Sequence, residues 1–174
     1  MTSSAVLINY LNILFPNFVQ TMVYYRIHEG KEHGILFETV PADVKLVIAP
    51  DSSSSDYDVH KKLHDMGIDV LVLDHHDADK VSEYACVINN QLCNYPNKSL
   101  SGVGVVYKFC EYLDSLLGNH YADTFLDLVA CGIIADVMEL KNLETRYIIT
   151  EGLKNIHNGF LKGMVERQAF KLGN

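Results

Sequence analysis

The sequence predicts an α/β fold, a parallel β-sheet flanked by helices with a mainly helical C-terminal half. Three observations carry that prediction. Apolar runs rich in Val and Ile, each too short for a helix, recur between residues 19 and 89. A helical stripe separates two of them, and strand–helix–strand alternation implies a crossover and hence parallel pairing. From about residue 100 the apolar spacing shifts to the helical period.

Taken in order, Val6, Leu7, Tyr10, Leu11 and Leu14 recur at helical spacing, with Ser3 and Ser4 available as caps and Pro16 beyond. The runs VQTMVYY (19–25), VKLVIA (44–49), IDVLVL (68–73) and ACVIN (85–89) read as buried strands, bounded by polar and turn residues. Between the second and third, Val59, Leu63 and Met66 form a helical stripe that Gly67 ends. Later, Val106, Phe109, Cys110, Leu113, Leu116 and Leu117 make one helix face, closed by Gly118. A second apolar helix is expected over 121–133, and a third, more polar one over about 143–157. The first element is a helix starting at residue 2 with no strand before it, unusual for an α/β sheet, so the chain reads as cut at its front edge.

Composition bounds the rest. With 174 residues, 48% hydrophobic and 21% charged, the chain suits one folded domain and is too short for an eight-fold α/β barrel of about 250 residues. The net charge of −8 argues against a dedicated duplex-DNA binder held by phosphate contacts, but not against a metal-dependent enzyme that handles phosphate. Cys86, Cys93, Cys110 and Cys131 show no CxxC pairing and fit a reducing, cytoplasmic setting rather than disulfides or a zinc cage. The N-terminal apolar run, interrupted by Asn9 and Asn12, lacks a basic flank and is too short to span a bilayer.

The chemistry gathers at strand ends. VKLVIA runs into Asp51, and IDVLVL runs into Asp74–His75–His76. In open parallel sheets the functional crevice lies beyond the carboxyl ends of the strands, so adjacent strands would place these groups side by side. Crowded carboxylates repel one another, and a divalent cation relieves that repulsion. A carboxylate–imidazole set without thiolate suits Mn²⁺ or Mg²⁺, with iron, cobalt or zinc also open. Asp136, in the apolar run LDLVACGIIADVMEL, is a third candidate, because an ionisable group among such neighbours needs a partner. Singly, each has a plainer reading: Asp51 as a turn residue, the histidine pair as a solvated strand end, Asp136 as a cap. The stretch Ser101–Gly102–Val103–Gly104 opens a helix and could hold a phosphate, or be a tight turn. Lys61, Lys62, Lys98 and Lys108 could line a nucleic-acid strand or form a solvated face. Tyr24, Tyr25, Tyr57 and Tyr95 could stack on bases or pack in the interior.

VLVLDHH resembles the signature that names the DHH phosphoesterases, LVIAPDSSSSD that family's second motif, and LVACGIIADVMEL its fourth. VINNQ…YPNKSLSGVGVVYKF and YYRIHEGKEHGI are similar in layout to the RecJ-like branch of single-strand-specific exonucleases, and the resemblance covers roughly residues 2–157. It implies a metal-dependent phosphodiesterase with Mn²⁺ (or Mg²⁺), acting on single-stranded DNA or short oligonucleotides. It assigns Asp51, His75 and Asp136 as metal ligands, with Asp51 bridging two ions. His76 falls beside the scissile phosphate, and Asp74 serves as an orienting carboxylate. The family's first motif, DxDG, has no counterpart here, so the resemblance implies that a second metal site is absent or weak. It also implies that residues 1–174 are a catalytic domain lacking its first strand and a C-terminal substrate-binding domain. Small nucleotides or pyrophosphate as substrate, or a non-catalytic module, are the competing expectations.

Overall fold

The structure, a computed structural model, describes residues 2–17 and 34–172. The strand expected over 19–25 lies outside the described residues, as do Tyr24 and Tyr25. Helix α1 (Thr2–Leu14) comes first, then β1 (Leu46–Pro50), α2 (Tyr57–Asp65), β2 (Asp69–Asp74) and β3 (Cys86–Asn89). The strands form one sheet in the order β1-β2-β3, all parallel. In register, Pro50 faces Leu73 and Asp74 faces Asn89, so all three strands finish along one edge of the sheet.

Alternation along β2 divides the core between the two faces of the sheet. Val70 and Val72 join Ala49, Leu63 and Ile68 in a cluster on the side of α2, which ends as Gly67 takes a positive φ of 73°. Leu73, with Leu71 packed beside it, belongs to the larger cluster on the other side with Val6, Leu7 and Tyr10 of α1. Helix α3 (Gly102–Leu117) completes that side with Val103, Val106 and Cys110, and Gly118 terminates it in the left-handed conformation. Tyr10 donates through its hydroxyl to Oδ1 of the buried Asp114 at 2.8 Å, tying α1 to α3.

Two boundaries differ from the sequence expectation. Residues Ala122–Phe125 form a 3₁₀ turn, and the helix proper, α4, runs Leu126–Ala135. The tighter turn arises because Oδ2 of Asp114 captures the Ala122 N–H at 2.7 Å and buries Ala122. Helix α5 (Leu143–Lys154) stops before residue 157, because Oδ2 of buried Asp127 takes the His157 and Asn158 N–H groups at 2.8 and 2.7 Å. A further helix, α6 (Gly159–Leu172), lies beyond the expected elements, and its Phe160, Met164 and Val165 are exposed. Ser3 is not a cap either: its side chain is buried and turned toward β1. Among the described residues, no helix is long and apolar enough to cross a membrane.

Glu144 locks α5 onto the segment before α3. It accepts from the Tyr95 hydroxyl at 2.7 Å and from Asn97 Nδ2 at 2.9 Å, with Lys108 Nζ at 3.3 Å. Burial alone would raise its carboxyl, but these bonds together outweigh that and hold it below the ordinary glutamate value. A depressed carboxyl contributes stability that is complete above its unfolded pKa and lost as pH falls through the folded one. In chemical denaturation, the wild type is therefore expected to lose stability below about pH 4.3 more steeply than Glu144→Gln. Parallel curves would remove Glu144 from the acid response.

Candidate metal centre

The carboxyl edge of the sheet carries the chemistry. Asp51 follows β1 directly and adopts φ 66°; Ser53 (φ 80°) and Val137 (φ 53°) are left-handed too. Non-glycine residues in this region cost on the order of 1–3 kcal/mol each and persist only where the surroundings enforce them. Here two of them, Asp51 itself and Ser53, shape the turn that carries one carboxylate, and the third follows the other, since Val137 succeeds Asp136. The strain marks the edge as built for placement rather than stability.

His75, just past the end of β2, joins the two acids. Its Nε2 lies 3.4 Å from Asp51 Oδ1 and 3.3 Å from Asp136 Oδ2, with the imidazole only 11% exposed. Asp136 reaches this point as the C-terminal cap residue of α4, its N–H bonded to the Gly132 carbonyl. His76 stands alongside, ring centroid 4.4 Å from that of His75, and Asp51, His75 and His76 each present a donor atom within 4.8 Å of the others. Asp51 and Asp136 do occupy the turn and cap positions, and both also approach one imidazole.

Electrostatics follow from that convergence. Burial alone would raise the Asp51 carboxyl; hydrogen bonds from His75 and Ser3, with the charge of both imidazoles, outweigh it and lower its pKa. Burial alone would lower His75; its bond to Asp51 and the charges of Asp51, Asp136 and Asp74 outweigh that and raise it. Asp51 is thus set up to stay ionised beside a His75 ring that favours its charged form.

Asp74 does a different job. It is 1% exposed and accepts from the Ser54 N–H at 3.1 Å, the His75 N–H at 2.8 Å and His76 Nδ1 at 2.7 Å. Burial alone would raise it, but the bonds from His76, Ser54 and His75 prevail and lower its pKa. It fixes the His76 ring from below instead of facing the two other acids.

Four residues outside the expected set hold the site, and three of them are polar. Ser3 donates its hydroxyl to Asp51 Oδ2 at 2.9 Å. Asn89, opposite Asp74 in the ladder, donates Nδ2 to Ser54 Oγ and to the His76 carbonyl, both at 2.8 Å. Gly102, the first residue of α3, lies so close that a Cβ there would stand 1.9 Å from Asp51 Oδ1. Ser3 and Asn89 carry no local signal, since a serine or an asparagine acting across the chain looks like any other. Gly102 stood out only as part of a helix-opening glycine stretch, not as a neighbour of Asp51.

The candidate lysines are engaged elsewhere. Lys61 pairs with Asp65, Lys98 donates to the Asn90 and Cys93 carbonyls, Lys108 pairs with Glu111 and Glu144, and Lys62 lies over the Phe37 ring. Tyr57 exchanges hydrogen bonds with the Lys80 backbone, with Lys80 Nζ over its ring, and the Tyr95 hydroxyl serves Glu144.

The donor set fits a hard divalent cation. Donors bound at about 2.1 Å and roughly 90–110° apart are separated by roughly 3.0–3.4 Å, which matches the spacing of His75 Nε2 from the two carboxylate oxygens. Two carboxylates and an imidazole without thiolate point to Mn²⁺ or Mg²⁺.

The chain resembles known proteins in sequence and in fold. Residues 1–133 match the family described as "DHH family, N-terminal domain". The chain is 48% identical over 170 residues to YorK, an SPbeta prophage-derived protein of Bacillus subtilis, covering 97% of this chain and 29% of YorK. It is 33% identical over 124 residues to the single-stranded-DNA-specific exonuclease RecJ of the same organism, covering 70% of this chain and 15% of RecJ. The chain thus spans under a third of these relatives. Among solved structures, an exonuclease RecJ bound to manganese superposes with a TM-score of 0.77 at 27% identity, over 89% of this chain and 40% of that one. RecJ of Thermus thermophilus in complex with Mn²⁺ gives 0.69 at 25% identity, over 88% of this chain and 22% of that one.

Proposed function

Because the chain belongs to the DHH family, we propose that its strand-end cluster is the metal centre of a phosphodiesterase that hydrolyses single-stranded DNA. The convergence of Asp51 and Asp136 on His75 Nε2 is the observation that carries this reading. These three residues would hold Mn²⁺ or Mg²⁺. Such an ion supplies Lewis-acid polarisation of a phosphoryl oxygen and a water acidic enough to attack phosphorus.

The chain's own groups do the rest. Ser3 keeps Asp51 oriented, and Asp74 holds Nδ1 of His76 so that the ring presents Nε2 outward, on a side chain 61% exposed. From there His76 would donate to a phosphoryl oxygen as water adds to phosphorus, or give a proton to the oxygen of the P–O bond that breaks. We place the protein in the cytoplasm, on the strength of four free cysteines.

A substrate panel tests the reading. The 174-residue chain, incubated with Mn²⁺, is expected to release nucleotides from a single-stranded oligonucleotide and to spare its duplex form. Hydrolysis of pyrophosphate or a dinucleotide with single strands untouched would move the substrate to small phosphates. A metal-loaded chain inert toward every substrate would leave a non-catalytic module.

A further inference from the structure

We propose that the first turn of α3, together with the Ser101 hydroxyl, is the seat of a phosphoryl oxygen of the substrate. The inference rests on the metal-centre reading above and names a second group of contacts to the same phosphate.

A cleft of about 190 Å³ lies between Asp51 and Asp136, and Thr2, Ser101, Val103 and Gly132 complete its lining. The 16-residue helix α3 begins in its wall. The opening N–H groups of a helix have no partner within it, and among the described residues no acceptor takes those of Gly102, Val103 or Gly104; the first helical bond comes from Val105, to the Ser101 carbonyl. A second observation comes from the cap residue itself. Ser101 makes no capping bond with its side chain, is 1% exposed, and leaves its Oγ without a partner. Buried hydroxyls are nearly always satisfied, so an unmet one on the wall of a polar cleft points to a visiting acceptor.

The nearest protein acceptor does not fill that role. Asp51 lies against Gly102, but its Oδ2 is taken by Ser3 and its Oδ1 faces His75. A helix N-terminus favours an anion by both its dipole and its free N–H groups. Two carboxylates border the same cleft and repel an anion until a cation neutralises them. The seat would therefore take a phosphate only once a cation held by Asp51, His75 and Asp136 had offset that charge.

Amide NMR on the ¹⁵N-labelled chain tests this without reference to activity, with Mg²⁺ as the ion and inorganic phosphate as the probe. With Mg²⁺ saturating, phosphate is expected to move the amide signals of Gly102, Val103 and Gly104 in a saturable way, while without Mg²⁺ they stay still. Ser101→Ala is expected to weaken phosphate binding about tenfold, the usual scale of one hydrogen bond to a charged group. Phosphate binding with these three amides unmoved would overturn the seat, as would unchanged phosphate affinity in Ser101→Ala. So would a loss of Mg²⁺ affinity in that variant, since Ser101 would then support the metal centre. A wild-type chain that takes up no Mg²⁺ brings down the metal-centre reading and the seat with it. One that binds Mg²⁺ but moves no α3 amide brings down the seat alone.

Discussion

Replacing Asp51 with alanine is expected to weaken Mn²⁺ binding by more than about 100-fold, as read by calorimetric titration. Loss of a group that merely orients a metal ligand typically costs about 10–100-fold, and Asp51 is placed to be a ligand itself. Its Oδ1 stands 3.4 Å from His75 Nε2, and it is the acid that both imidazoles hold in its ionised form. Without it the remaining donors are His75, His76 beside it, and Asp136, 43% exposed. The wild type is expected to bind one equivalent, because the described residues gather one compact group of such side chains, Asp51, His75 and His76, with Asp136 reaching His75 from the other side. Wild-type Mn²⁺ affinity in Asp51→Ala would exclude the strand-end cluster as the metal centre.

Gly102→Ala is expected to lower Mn²⁺ affinity by about 10–100-fold although every donor stays in the sequence. The added Cβ would stand 1.9 Å from Oδ1, 2.3 Å from Cγ and 2.7 Å from Cβ of Asp51. Turning the carboxylate aside would relieve the first two contacts only, and it would break the bond from Ser3 to Oδ2. The backbone must give, and Asp51 already sits in a strained left-handed conformation. Since both substitutions act through one carboxylate, their effects should not add: Asp51→Ala/Gly102→Ala should bind Mn²⁺ as weakly as Asp51→Ala. Full addition would mean that Gly102 serves some other purpose.

The strands were legible because burial on both faces of a parallel sheet leaves dense Val and Ile runs, and LVIAP and DVLVLD sit within a residue or two of the expected spans. The site was legible for a related reason: acids that follow such runs must emerge at the sheet's carboxyl edge, where Asp51 and His75 meet. Asp136 could be found because a carboxylate stands out in an apolar helix. The supports could not. The Ser3–Asp51 bond spans 48 positions and the Asn89–Ser54 bond spans 35, and neither leaves a trace in local composition. Helix α6 has Phe160, Leu161, Met164 and Val165 at helical spacing, but its exposed Phe160, Met164 and Val165 add nothing to the core from which the other elements were read. The late start of α4 was missed because one carboxylate, Asp114, chose the tighter turn from eight residues away.

The alternation of β2 has a consequence for the order of letters in its closing triplet. Asp74 shares parity with Val70 and Val72, which takes it to the α2 side, where the Ser54 N–H meets it in the interior and Asn89 braces Ser54. His75 shares parity with Leu71 and Leu73, whose neighbours α1 and α3 bring Ser3 and Gly102 up to Asp51. The triplet is therefore not a bag of three polar residues but a word with one spelling. Exchanging its first two members would put an imidazole among hydrogen-bond donors that need an anion, and a third carboxylate against the two already there.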